Sequence, residues 1–217
     1  MGLNPLTKRL CEAVIAGDHQ KAEQITRDLL QQHMAPKEIL DAGLMPGMDE
    51  VGRRFRGGTM FLPQVLVAAR AMKTSMAILD PLLAATSYKA KGTILLGTVK
   101  GDVHDIGKNL VGILLRGSGY TVADLGVGCT AQQFLAGFEA HHPDVIGLSA
   151  LLTTTMVYMK TIIGEFRSMG IGVPIILGGA PVTKAFAEEL GAEGYARNAS
   201  EAVDLVRTLL ASKGTPL

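Results

Sequence analysis

The segment Asp102-Val103-His104-Asp105-Ile106-Gly107 holds the residues of this chain best suited to chemistry, because a carboxylate and an imidazole stand two positions apart between an apolar run and a helical pattern. A neutral imidazole ligates metals through one ring nitrogen while the other gives its proton to a carboxylate or a carbonyl. Asp102 is near enough in sequence to take that proton, fix the tautomer and raise the basicity of His104. The apolar run ahead of it, residues 93–99, reads as a β-strand, so the histidine is presented on a strand-to-helix loop. Loops outside the carboxyl ends of strands are where open α/β sheets bind ligands. The pattern D-x-H-x-x-G fixes only three positions and arises by chance in roughly one or two chains per hundred of this length. The plain alternative is a loop in which Asp102 or Asp105 caps the next helix and His104 is polar surface.

Such a loop needs a sheet to carry it. From residue 93 onward, apolar runs at 93–99, 120–124, 145–149, 173–177 and 194–196 predict strands, and helices are expected near 107–116, 131–141, 155–169, 182–190 and 201–210. This alternation implies βαβ units and a parallel sheet covered on both faces. With a flavodoxin-like strand order 2-1-3-4-5, the crevice lies where the chain changes direction between strands one and three. His104 follows the first strand, Ser149-Ala-Leu151-Leu-Thr153-Thr-Thr155 follows the third, and Gly178-Gly179-Ala-Pro follows the fourth. Three hydroxyls and two side-chain-free residues thus share one edge of the sheet with the histidine, where glycine lets a ligand approach the backbone closely. Singly, Ser or Thr after a strand is a helix cap and Gly-Gly is a turn. Their convergence with Asp102 and His104 is what points to a binding site.

Residues 1–86 have a different texture, with helical periodicity and almost no strand signal. Leu6, Leu10, Val14 and Ile15 recur at helical spacing, and Gly17-Asp18 stops that helix and caps a second carrying Ala22, Ile25, Leu29 and Leu30. A third helix is expected to start at Pro36, a fourth to cover 46–55, and a long one to run from Pro63 to Leu83. The expected organisation is a helical bundle over residues 1–86, a linker Ser87-Tyr-Lys-Ala-Lys-Gly92, and an α/β domain over residues 92–217.

A chain of 217 residues, 47% of them hydrophobic, can bury a sizeable core, and a net charge of +1 offers no basic excess for nucleic acid. No positively charged leader precedes an apolar stretch, and the apolar runs are too short to span a bilayer, so the cytoplasm is the expected location with no membrane partner. Cys11 and Cys129 lie far apart without a C-x-x-C arrangement, which rules out a thiolate zinc site or an iron–sulfur cluster built from this chain. Any metal must arrive in another form. Of the five histidines, His19, His33, His141 and His142 fall in helix-end or loop contexts that suit surface or capping roles.

Taken together, Asp102-Val-His-Asp-Ile-Gly-Lys-Asn109, Ser149-x-Leu151 and Gly178-Gly179 resemble the three signature motifs of cobalamin-binding domains, in the form found in methionine synthase and the corrinoid proteins of methyltransferase systems. The stretch Glu50-Val-Gly-Arg-Arg-Phe-Arg-Gly-Gly-Thr-Met-Phe-Leu-Pro-Gln-Val65 resembles the end of the helical cap domain that precedes the cobalamin domain there, so the resemblance covers nearly the whole chain. It implies an α/β fold class: an N-terminal helical bundle, the cap, followed by a flavodoxin-like or Rossmann-like five-stranded parallel sheet. It also implies cobalamin as cofactor, with His104 replacing the nucleotide base as the lower cobalt ligand and Asp102 as its hydrogen-bond partner. Thr155 stands where the relay has a serine; it keeps the hydroxyl and adds a methyl. Val103, Asp105, Ile106 and Gly107 belong to the same cofactor-binding loop. Ser149, Leu151 and Thr153 would line the pocket for the displaced nucleotide tail, with Gly178 and Gly179 leaving it room. Phe55, Leu62 and Val65 match residues that cover the upper, methyl-bearing face of the corrin and keep water from it. Met45, Met48, Met60, Met72 and Met76 are read instead as core, since methionine fills gaps.

The function implied is that of a corrinoid carrier accepting a methyl group on cobalt. A substrate-specific methyltransferase would load it, and a second methyltransferase acting on tetrahydrofolate or a thiol coenzyme would unload it; a reductive activase fits the same scheme. No folate-binding, zinc-thiolate or S-adenosylmethionine-binding domain is visible, so these activities are expected on separate subunits. Three rivals remain at this stage. A subunit of an adenosylcobalamin-dependent mutase would share D-x-H-x-x-G without the helical stretch ahead of it. A cobalamin-sensing regulator would need a DNA-binding module. A flavin-binding module could use the same crevice but would not need His104.

Overall fold

Leu10, Ala13 and Val14 share one face of the first helix, α1 (Pro5–Ala16), and are all buried, so the periodicity that predicts the helix also sets its inward side. The computed structural model describes residues 5–86 and 89–213. Its two compact units are Met1–Lys89 with Gly117–Gly119, and Ala90–Arg116 with Tyr120–Leu217.

In the helical unit, α1 ends at Gly17, whose φ of +72° and 2.5 Å distance from an added Cβ to Val67 Cγ2 admit only glycine. Asp18 then caps α2 (His19–Gln31) by accepting the Lys21 N–H at 3.0 Å. The third and fourth helices expected from sequence are one continuous helix: α3 (Pro36–Ile39) passes through a π-helical turn at Leu40–Leu44 into α4 (Met45–Arg56). Pro46 is the reason. Its nitrogen has no hydrogen for the Ala42 carbonyl and its ring would strike that oxygen. The widened turn, in which the Met45 N–H reaches the Leu40 carbonyl, accommodates both. The long helix α5 (Leu62–Ala84) starts where Gln64 Oε1 accepts the Phe61 N–H at 2.8 Å. Thr26 Oγ1 of α2 donates to the Ala22 carbonyl at 2.8 Å and accepts from Ser75 Oγ of α5, 3.0 Å away inside the bundle. Leu10, Leu29, Ile39, Leu44, Val51 and Val65 are fully buried, and Met45, Met48, Met60 and Met72 are buried with them. Met76 is half-buried. Ser87 and Tyr88 of the expected linker lie outside the described residues.

The second unit alternates strand and helix: β1 (Thr93–Thr98), α6 (Ile106–Gly117), β2 (Thr121–Asp124), α7 (Ala131–His141), β3 (Val145–Ser149), α8 (Thr153–Met156), α9 (Tyr158–Ser168), β4 (Ile175–Gly178), α10 (Lys184–Glu189), β5 (Gly194–Ala196) and α11 (Ala199–Lys213). All pairings are parallel and the strand order is β2-β1-β3-β4-β5, the flavodoxin-like order on which the expected crevice depends. The fourth strand starts two residues later than expected because Pro174 has no N–H to give; its carbonyl still accepts the Ile146 N–H at 2.9 Å. The helix expected over 155–169 begins earlier, at Thr153, and is interrupted at Val157.

Side chains alternate across the sheet. Leu95, Ile146, Leu148, Ile175 and Leu177 join a core with Phe134 and Phe166, under α7, α9 and α10. Leu96, Gly147 and Ile176 take the intervening positions and face the other way, where a cavity opens beside α6 and α11. The register sets Thr98, Ser149 and Gly178 side by side at the carboxyl edge. Among the described residues, no helix is long and apolar enough to cross a membrane.

Candidate functional site

The loop after β1 is pinned at several points by its own backbone. The Asp102 N–H bonds the Val99 carbonyl at 3.1 Å, the Gly128 N–H bonds the Asp102 carbonyl at 3.0 Å, and Thr98 Oγ1 donates to the His104 carbonyl at 3.0 Å. The Asp102 side chain is fully buried in the middle of this loop. Its Oδ1 accepts the His104 N–H at 3.0 Å and lies 2.8 Å from His104 Nδ1. Its Oδ2 accepts Thr155 Oγ1 at 2.6 Å and the backbone N–H groups of Leu151 and Leu152 at 2.8 and 3.3 Å. Burial by itself would raise the Asp102 pKa. The bonds from Thr155, from the His104 and Leu151 backbone N–H groups, and from the His104 ring outweigh it and hold the carboxyl well below the usual carboxylate range. Asp102 is therefore an ionised acceptor at neutral pH.

That charge decides the tautomer of His104. An ionised carboxylate oxygen beside Nδ1 requires the proton there, which leaves the lone pair on Nε2. The His104 side chain is 46% exposed, and Nε2 has no hydrogen-bond partner among the described residues. Thr155 Oγ1 also lies 3.0 Å from the Leu152 carbonyl, but its single proton goes to the stronger, charged acceptor.

His104, Val103, Asp105, Ile106 and Gly107 line the mouth of a cavity of about 660 Å³, within the range of roughly 300–1,000 Å³ usual for small-molecule sites. Ser149, Leu151, Gly178 and Gly179 line it as well, whereas Thr153 is exposed at the start of α8 and does not. Val103 and Ile106 are 73% and 71% exposed, and Leu151 and Leu152 are exposed on the neighbouring loop, so apolar surface from two loops surrounds the histidine. Gly179 has a reason internal to the chain: its φ is +130° and an added Cβ would stand 1.8 Å from the Ala150 carbonyl oxygen. Gly178 is freer, with 3.4 Å to the Ala196 carbonyl oxygen. In the helical unit Val65 is fully buried in the core, while Phe55 and Leu62 are half-buried and Phe61 is 67% exposed. Two salt bridges, Arg53 Nη2 and Arg54 Nε to Glu50 Oε1 at 2.6 and 2.7 Å, brace the turns of α4 that carry Phe55, and bonds from the two arginines lower the Glu50 pKa to about 2.

Two features escape sequence reasoning. The Leu151 and Leu152 amides that clamp Asp102 are backbone groups and leave no trace in residue type. Lys108 is buried, its Nζ 2.6 Å from both carboxylate oxygens of Asp124 and 2.9 Å from Asn109 Oδ1, and it ties the first turn of α6 to the end of β2. A lysine in the first turn of an apolar helix and an aspartate closing the next strand were the available signal.

No group of three or more His, Cys, Asp or Glu among the described residues could hold a bare metal ion. His104 offers one nitrogen only. A single donor suits a metal whose other positions are already filled by a ring. Two family models, each described as B12 binding domain, match residues 6–80 and 92–204. The chain belongs to the B12-binding corrinoid proteins. It is 37% identical over 210 residues to a corrinoid protein of Desulfitobacterium hafniense, covering 94% of this chain and 97% of that one. It is 38% identical over 214 residues to the dimethylamine corrinoid protein of Methanosarcina barkeri, covering 97% and 100%. In the crystal structure of the methanol:cobalamin methyltransferase complex MtaBC from Methanosarcina barkeri, a chain 33% identical superposes with a TM-score of 0.88 over 98% of this corrinoid protein and 83% of that chain. The donor set of this corrinoid protein fits its cofactor: one oriented imidazole, apolar side chains around it, and a cavity beside it.

Proposed function

We propose that this corrinoid protein is a methyl carrier, loaded by a substrate-specific methyltransferase and unloaded by a second methyltransferase that acts on tetrahydrofolate or a thiol coenzyme. The observation that carries this reading is the hydrogen-bonded series Thr155–Asp102–His104, which leaves Nε2 free at the mouth of an apolar cavity. When bound, the corrinoid supplies the cobalt that takes and yields the methyl group. His104 gives it a nitrogen donor of fixed tautomer. Asp102 holds the Nδ1 proton and strengthens or relaxes its share of it as the demand on Nε2 changes, while Thr155 and the two leucine amides keep the carboxylate in place. Val103, Ile106 and Leu151 exclude water around the imidazole. Ser149, Gly178 and Gly179 are proposed to flank the nucleotide tail, with Thr153 at the helix start beside it. Residues 1–86 are proposed as the cap, in which Phe55 and Leu62 shield the reactive face and Val65 supports them from the core; residues 92–217 are proposed as the cobalamin domain.

The names of the relatives point to the kind of partner. Proteins named for dimethylamine and a methanol:cobalamin complex favour a first methyltransferase acting on a small methylated amine or alcohol. A reductive activase and a cytoplasmic setting complete the proposal. The mutase, regulator and flavin readings have no observation in their favour. The test is a single-turnover experiment: the corrinoid-loaded protein is mixed with a dimethylamine or methanol methyltransferase and isotopically labelled donor, then isolated. Label retained on the protein, and released when a second methyltransferase and its acceptor are added, supports carriage. Label that reaches the acceptor without residing on this protein contradicts it.

A further inference from the structure

The tip of the loop between β2 and α7 is not held by packing. Gly126 and Gly128 stand at φ +85° and +68° on either side of the exposed Val127, and beyond its chain neighbours an added Cβ at either glycine would meet no atom within 4 Å among the described residues. Glycine leaves such a conformation as readily as it adopts it, so hydrogen bonds must select it. Asp124 Oδ1 accepts the Gly126 N–H at 2.9 Å, the Gly126 carbonyl accepts the Thr98 N–H at 3.0 Å, and the Cys129 N–H bonds the Thr98 carbonyl at 2.8 Å. The Gly128 N–H reaches the Asp102 carbonyl at 3.0 Å. This loop therefore holds the main chain of Asp102, while the loop after β3 holds its carboxylate.

Asp124 is itself held by Lys108. The ammonium lies 2.6 Å from both Asp124 oxygens and 2.9 Å from Asn109 Oδ1, which occupies its three donors and leaves none for a ligand. The position does not suit a cation. A positive charge in the first turn of α6 opposes the helix dipole, and the Lys108 side chain is only 3% exposed. Stability does not account for the pair either, because apolar side chains of similar volume commonly match or better a buried ion pair. What the pair provides is a fixed join between two loops. The chain runs from Asp102 through His104 to Lys108, the ion pair crosses to Asp124, the β2 loop leads on to Gly128, and the Gly128 N–H returns to Asp102. His104 sits within this closed ring.

We infer that Lys108 is a positioning residue for His104: with Asp124 it closes the ring and fixes the direction in which Nε2 points. When the ring is open, the Asp102 main chain and the start of α6 move independently, and the imidazole spends less of its time in the ligating orientation. The inference rests on the corrinoid reading above.

The experiment compares the full-length wild type with Lys108→Met/Asp124→Leu in two measurements. In the corrinoid-free protein, amide hydrogen exchange is followed at Gly128, whose bond goes to Asp102 and not to the replaced pair, and at Leu177 inside β4. Exchange at Gly128 should quicken by about tenfold with Leu177 unchanged, the mark of a local opening. The proteins are then loaded with methylcobalamin and desalted, at a pH where His104-ligated and unligated forms are both present in the wild type. The ratio of ligated to unligated cobalt, read from the absorption spectrum, should fall by about tenfold, the low end for groups that support a metal ligand, with corrinoid content unchanged. Lys108→Met alone leaves Asp124 on the Gly126 amide and opens the ring at one join; it should move both quantities in the same direction, and it keeps the test in force should the double variant not fold. Either quantity unchanged in a folded variant would overturn the inference. So would exchange that quickens equally at Leu177, which would make the pair a general stabiliser of the fold, or loss of the corrinoid itself, which would make the pair a contact of the cofactor. A wild type that takes up no corrinoid, or takes it up without histidine ligation, would overturn the corrinoid reading instead, and the Gly128 exchange, which needs no corrinoid, tells the two failures apart.

Discussion

The two faces of the five-stranded sheet are built from the same strands and yet differ in how they are filled. One face is filled: Phe134 and Phe166 are fully buried, and the Phe166 ring meets Phe138 edge-on at 5.7 Å with an interplanar angle of 86°. The other face carries Gly147 where its neighbours carry leucine and isoleucine, faces alanines on α11, and keeps a cavity of about 660 Å³. The same strands build both, by alternation of side chains. A hollow against a sheet forgoes dispersion contacts and apolar burial that the opposite face enjoys, so the filled face stabilises the unit, and the hollow face is the one proposed to serve the ligand. Substituting into each should therefore give effects of opposite sign.

The largest effect is expected on the filled face. Phe166→Ala should cost about 3–5 kcal/mol of stability in denaturant unfolding, because it leaves a void among residues that cannot collapse into it; a loss below 1 kcal/mol would mean that this face is not the stabilising one. At the edge between the faces, Gly179→Ala forces a Cβ against the Ala150 carbonyl and an L-residue into φ +130°, and should cost roughly 1–3 kcal/mol by the same measurement. On the ligand side, Asp102→Asn should weaken His104 ligation by about 10–100-fold, since a neutral amide cannot hold both the imidazole proton and the Thr155 hydroxyl as the carboxylate does. Ala202→Leu sharpens the comparison. It should leave the unfolding free energy unchanged or raise it by about 0.5–2 kcal/mol, whereas destabilisation of Phe166→Ala size would show that the hollow is not available to a larger side chain.

The smallest expected effect is acidic. The folded pKa of Asp102 lies below its unfolded value, so its contribution to stability is complete above the unfolded pKa of about 4 and is lost as pH falls from there towards the folded value. Wild-type stability should fall below pH 4 more steeply than that of Asp102→Asn, as read from urea midpoints between pH 6 and pH 3. Equal slopes would remove Asp102 from the acid transition.

The strand–helix alternation and the Asp102–His104 pairing were legible because both depend on residue type at fixed spacing, whereas the strand order followed from the family resemblance and not from any single run. Apolar runs alternate with helical periodicity, and a carboxylate two residues from a histidine is a local relation. Helix α7, expected over 131–141, spans Ala131–His141, since Thr130 and Gln133 cap it with side chains that sequence shows directly. What was illegible is made of backbone or of long-range packing. The Leu151 and Leu152 amides reach Asp102 across about fifty residues. The π-turn at Leu40–Leu44 comes from a proline that reads locally as a helix start. Gly179 reads as room for a ligand, and only the fold reveals the carbonyl of Ala150 against it. Whether one face of a sheet is packed or hollow depends on which helices cover it, which no single strand encodes.

The most direct test of the corrinoid role of His104 is the absorption spectrum of the purified protein after incubation with methylcobalamin and desalting, compared with His104→Ala treated identically. A wild-type spectrum of histidine-ligated corrinoid, lost in a variant that still retains the coloured cofactor, is the expected result. A colourless wild type, or identical spectra from the two proteins, would contradict it.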